Sequence, residues 1–145
     1  MYLNMCPIRW PRLRKWRLIV PGGLIVIRVP NDFTPLQESA QRALGTDPWW
    51  IAFPDHINYF NFDSLRRFLS GNDFQVVDEL GDFPMELFLL FGDNYVGQPE
   101  VGNACHQRRV KFELGVPGEL RRKLYRSFAQ NGIGRDCLVF ARKNG

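Results

Sequence analysis

Residues 18–31 read LIVPGGLIVIRVPN, a Pro-Gly-Gly turn that runs straight into an apolar strand over 24–29 and ends at Pro30-Asn31. Leu24, Ile25, Val26, Ile27 and Val29 are interrupted only by Arg28. Such a run predicts a strand covered on both faces, of the kind found inside a parallel sheet flanked by helices. A strand of that kind needs a neighbour on each edge. Little chain stands before it to provide one, so a free edge on 24–29 is expected, and something is expected to cover it.

At 145 residues the chain has room for a single core, and its 45% hydrophobic and 14% aromatic content is that of a globular domain. No apolar stretch is long enough to span a membrane, and the N-terminal residues lack the apolar segment and small-residue cleavage site of a secretory signal. Cys6, Cys105 and Cys137 are odd in number and far apart, which argues for a reducing cytoplasm over a disulfide framework. With two histidines and no Cys-x-x-Cys, no metal site is expected. The net charge of +4 sits at one end: Arg9, Arg12, Arg14, Lys15 and Arg17 fall in residues 1–17, where there is no acidic residue. Without them, 14 basic side chains face 15 acidic ones in residues 18–145. Residues 1–17 therefore form an atypical basic head, with Trp10 and Trp16 among its charges. That composition suits either a helix with a solvated face or phosphate contact and stacking, but no nucleic-acid motif accompanies it and a nucleic-acid partner is not expected.

Local signals place the remaining elements. Residues 13–19 read as the end of a helix, closed by Pro21 and Gly22-Gly23. Thr34 is placed to cap a helix that has Pro35 in its first position, runs through Leu36, Ala40 and Leu44, and stops at Gly45. Residues 47–62, with Trp49, Trp50, Phe53, Tyr59, Phe60 and Phe62, read as an ordered aromatic loop. A helix over 64–70, capped by Asn61 or Asp63, should bury Leu65, Phe68 and Leu69, and a strand follows over 74–80. The segment 81–134 holds an apolar stretch at 85–91, a glycine-rich loop at 92–102 and a helix over 119–130 with a core stripe of Leu120, Leu124 and Phe128. A final strand over 135–142 should point Cys137, Val139 and Ala141 to one face and Leu138 and Phe140 to the other. The glycine-rich GDNYVGQPEVG lacks the strand–loop–helix setting of a phosphate cradle and reads as a loop.

The order of these pieces carries a resemblance. The turn and strand of 13–31, the segment Asp55-His56-Ile57-Asn58-Tyr59-Phe60, the helix Asp63-Ser64-Leu65-Arg66-Arg67-Phe68-Leu69, and the entry to the next strand at 71–77 are similar to the C-terminal half of class I S-adenosylmethionine-dependent methyltransferases, the small-molecule group. The match covers roughly residues 13–80 and the last strand. It implies an α/β, partial Rossmann-like fold: a mixed three-stranded sheet, helices on its faces and a helical insertion before the last strand. In such a fold the strand at 24–29 has the antiparallel final strand on one side and a missing strand on the other. The family's glycine-rich loop and ribose-binding acidic residue belong to the absent N-terminal half. S-adenosylmethionine is therefore the cofactor the resemblance implies, but this chain by itself is expected to be incomplete and inactive. The basic head, a second copy of the chain in a homodimer, or a second polypeptide carrying the missing half is expected to cover the 24–29 edge.

The resemblance also puts the substrate, a small molecule, beside the aromatic loop. His56 is then a candidate general base or a histidine that orders the loop. Asn31 and Asp32 follow the C-terminal end of the strand, where α/β sheets meet ligands, or they serve as turn and cap residues. Trp49, Trp50, Tyr59 and Phe60 are candidates to wall a substrate pocket or to form the loop's own small core. His106, with Arg108, Arg109 and Lys111, reads either as an anion-binding cluster or as a solvated face.

Overall fold

The computed structural model describes residues 18–52 and 58–145. The chain runs β1 (Leu24–Pro30), α1 (Pro35–Leu44), α2 (Phe62–Ser70), β2 (Phe74–Gly81), α3 (Glu86–Leu90), α4 (Pro99–Gly115), α5 (Gly118–Gln130) and β3 (Asp136–Lys143). The basic head of residues 1–17 lies outside the described residues.

Capping chemistry starts the first two helices where their sequences place it. Thr34 Oγ1 accepts from the Gln37 amide at 3.1 Å, while the Thr34 amide donates to Gln37 Oε1 at 3.0 Å. Asn61 and Ser64 form the same reciprocal pair at the head of α2, at 2.9 Å each way. Each box satisfies two amides that a helix start leaves without partners, worth about 1 kcal/mol per cap.

The sheet is open, three-stranded and ordered β1-β3-β2. β3 lies between the other two and is antiparallel to both. The expected mixed sheet is thus corrected: β1 and β2 run in the same direction but are separated by β3, so every ladder in the described sheet is antiparallel. The long excursion through α3, α4 and α5 brings the chain back to the end of the sheet where β1 and β2 finish, and its last strand enters the gap between them in the reverse direction. The chain just ahead of β1 extends the first ladder, with the Gly22 amide donating to Lys143 O at 2.9 Å and the Lys143 amide donating to Gly23 O at 2.8 Å.

β1 is not covered on both faces. The row Ile25, Ile27 and Val29 pairs with Ala141, Val139 and Cys137 and packs toward the core. The alternate row does not: Leu24 is 62% and Val26 58% exposed. Its apolar run looks like that of an inner strand, yet period-two geometry turns half of it to the unpacked face. The core lies on the first face, where Phe62, Leu65 and Leu69 of α2 meet Phe74, Ala129, Cys137, Val139 and Ala141. The predicted alternation in the last strand is what the structure shows, with Cys137, Val139 and Ala141 fully buried.

The insertion departs further from expectation. Gly92 and Gly97 do sit in a turn-rich loop with φ of 97° and 70°, but α4 begins at Pro99 and takes in Gly102. In α5 the expected stripe is rotated: Leu120 is 50% exposed, Leu124 and Phe128 are half-buried, and Ala129 is the buried residue. The cause is a close approach at the end of β2, where a Cβ on Gly81 would come within 3.2 Å of the Ala129 amide nitrogen. Gly134, at φ 127°, closes the same junction, since a Cβ there would lie 2.7 Å from Gly81 Cα.

Candidate functional site

The C-terminal end of β1 gathers most of the buried polar groups. Asn31, Asp32, Thr34, Gln37 and Glu86 are all buried. Asn31 is fully enclosed, and its Nδ2 donates to Gly132 O at 3.1 Å and Gly134 O at 3.0 Å. Its amide donates to Arg135 O at 2.9 Å. Asn31 therefore ties the end of β1 to the turn before β3, and its Oδ1 is left buried without a hydrogen-bond partner. The Asp32 amide donates to Phe60 O at 2.7 Å, holding the aromatic loop against the strand end.

Of the four aromatic candidates, the structure brings three together. Phe33 stands edge-on to Trp50 with centroids 6.1 Å apart and to Tyr59 at 5.9 Å, and Trp50 is edge-on to Trp49 at 4.9 Å. Tyr59 Oη accepts from the Ala52 amide at 3.0 Å, and the buried Trp50 Nε1 has no hydrogen-bond partner. Phe60 goes elsewhere: it packs edge-on to Phe68 at 5.8 Å and joins the core under the sheet. His56, the candidate base, falls outside the described residues.

Two residues of this site were not among the sequence candidates. Phe33 has φ 58°, a left-handed conformation that costs a bulky residue of order 1–3 kcal/mol. That conformation turns its ring, 42% exposed, onto Trp50 and Tyr59. No local sequence signal marks it. Glu86 does carry one, a carboxylate inside the apolar run 85–91. It is only 5% exposed, and burial pushes its carboxyl up. A hydrogen bond with the Gln37 side chain and the charge of Arg135 oppose that shift, while Oε2 has no partner. Tyr95 is also pushed up, first by burial and then by the negative charge of Glu86. The end of β1 thus sets the Phe33–Trp50–Tyr59 aromatic cluster beside a group of buried polar side chains.

α4 splits the cluster around His106, keeping Arg109 beside His106 at 3.3 Å and turning Arg108 away. Arg108 pairs with Asp93 at 2.6 Å and lies over the Phe88 ring at 4.7 Å, whereas Arg109 turns inward toward the sheet. Among the described residues no group of three or more His, Cys, Asp or Glu is placed to hold a metal ion, and no helix is long and apolar enough to cross a membrane.

Set beside known proteins, the chain matches no family model, no curated protein and no solved structure.

Proposed function

We propose that this chain is the substrate-side half of an S-adenosylmethionine-dependent methyltransferase-like domain of partial Rossmann-like fold, acting on a small molecule and incomplete alone. The observation that carries the reading is the strand order. β1 has the antiparallel final strand on one side, and its other edge is unpaired among the described residues, the place where the resemblance leaves out a strand. Asn31, Asp32 and the Phe33–Trp50–Tyr59 cluster at the end of β1 stand on the substrate side of such a half-domain.

The described residues do not fit the cofactor. Gly22 and Gly23 are spent on a turn paired with Lys143, and Gly92 and Gly97 lie between two helices where a cradle would follow a strand. No step of methyl transfer is therefore assigned to this chain. Its part is to hold and desolvate the acceptor, with His56 the residue in the aromatic loop able to take a proton near neutral pH. Calorimetric titration with S-adenosylhomocysteine tests the reading: the folded chain alone should show no saturable binding. Adding a separately expressed cofactor-side half should restore binding and methyl transfer. Micromolar binding by the lone chain would overturn incompleteness, and a persistent lack of activity with the added half would overturn the methyltransferase reading.

A second reading is favoured by Leu24 and Val26, which expose an apolar row on an edge strand. It is a non-catalytic dimerisation module in which two copies pair through β1. Light scattering separates the two, since a stable dimer with no response to the added half supports this one.

A further inference from the structure

On the face of the sheet opposite the core, a cleft of about 490 Å³ opens between the sheet and the α4–α5 pair. Its floor is the row Arg28, Leu138 and Leu80, and its wall includes Arg109, Leu114, Arg121 and Tyr125. The volume is that of a small-molecule site. The hydrogen bonds inside it are unevenly used.

The acceptors are mostly engaged. Asp136 takes Arg28 at 2.6 Å, and Asp82 takes Arg28 at 3.2 Å and the Asp136 amide at 2.8 Å. Glu113 accepts from Tyr125 Oη at 2.6 Å, and its carbonyl accepts from Arg121 Nη1. The donors are not. Arg28, Arg66, Arg108 and Arg126 each close an ion pair at 2.6–2.7 Å, but Arg109 does not. Its side chain is 12% exposed, yet Nη1 stands 3.6 Å from Glu113 and 3.9 Å from Asp82, both beyond hydrogen-bond reach. Nη2 donates to His106 Nδ1 at 3.3 Å, and Nε is buried without a partner. Apart from the bond to the Glu113 carbonyl, the guanidinium of Arg121 forms no other hydrogen bond or ion pair among the described residues. A guanidinium that is nearly buried and loosely paired is expensive unless another acceptor completes it.

We infer that this cleft binds a small organic oxyanion, a carboxylate or phosphate monoester on an apolar body, with Arg109 and Arg121 on the head and Leu80, Leu114 and Leu138 along the body. Burial pushes the Asp82 carboxyl up, which lessens the negative charge an incoming anion would meet. The site lies on the other face of the sheet from the core and does not depend on the methyltransferase reading.

The probes are benzoate and phenyl phosphate, with benzyl alcohol as the neutral control, titrated into the full chain and followed by amide and arginine side-chain NMR shifts. Saturable shifts at Arg109, Arg121, Leu114 and Tyr125 are expected with at least one of the anions below about 10 mM, and none with the alcohol. Arg121→Gln should weaken that binding by about tenfold or more while leaving the remaining spectrum in place. Arg109 is too enclosed to change without risk to folding, so the neutral control keeps the test independent of any variant. Absence of binding by both anions, equal binding of benzyl alcohol, shifts mapping elsewhere, or an unchanged affinity in Arg121→Gln would each overturn the assignment.

Discussion

The two faces of the sheet are built from the same strands and end in opposite states. On one, Ile25, Ile27 and Val29 continue into Cys137, Val139 and Ala141 and are sealed by Phe62, Leu65 and Leu69 of α2. On the other, Leu24 and Val26 remain open, and the row turns into the charged cleft at Arg28 and Leu138. Composition does not separate them, because both rows of β1 are rich in aliphatic residues. What separates them is how closely the covering helices sit: α2 packs against the first face, whereas the α4–α5 pair stands off the second and leaves a cleft. The difference teaches that an apolar strand identifies what needs covering, whereas coverage depends on the elements the rest of the chain brings to it.

Breaking the sealed face should have the largest effect. Leu65→Ala removes a fully enclosed side chain from the contact between α2 and the sheet and should cost about 2–5 kcal/mol, read as a lower denaturation midpoint at unchanged slope. A cost below about 1 kcal/mol would mean that the face is not packed as described.

A middle-sized effect is expected where burial comes without full pairing. The folded-state carboxyl of Glu86 is raised by burial, so its stabilising contribution is complete below the unfolded-state value, about 4.3, and is lost as pH rises toward the folded one. Glu86→Gln keeps an acceptor for Gln37 and removes the charge. It should flatten that decline and stabilise the protein at pH 7 by about 1–2 kcal/mol. Thermal melts of both proteins from pH 4 to pH 8 would show it, and parallel curves would place Glu86 in a hydrated setting.

The smallest stability change should come from the open row. Val26→Lys alters a side chain with little to lose and should move stability by no more than about 0.5 kcal/mol. Its effect should appear instead in light scattering, as loss of any association through the β1 edge. A large fall in melting temperature would mean that Val26 is covered in solution.

Much of this fold could be read ahead of the structure, because its signals are local. Thr34-Pro35 and Asn61 each start a helix through side chain–backbone bonds that span three residues, and the alternation from Cys137 to Ala141 needs only the pleat. The site was legible in part. Asn31, Asp32, Trp49, Trp50 and Tyr59 do collect near the end of β1, but Asn31 is held by carbonyls of Gly132 and Gly134, a hundred residues away in sequence. Phe60, a candidate for the pocket wall or for the loop's own small core, packs on Phe68 and the main core, a placement that depends on where Phe68 lies. Phe33 owes its place to one left-handed backbone angle. Arg109 was one basic residue among several until α4 turned it inward beside Asp82 and Glu113.

By itself the sequence determined where α1 and α2 start and how β3 alternates, since caps and the pleat act over a few residues. It also determined that β1 would be apolar on both sides. Tertiary structure alone decided that β3 enters between β1 and β2, that α2 seals one face, and that the cleft on the other keeps donors to spare. Those outcomes depend on pairings between residues far apart in the chain, where the return of one element decides which side chains meet and which face water.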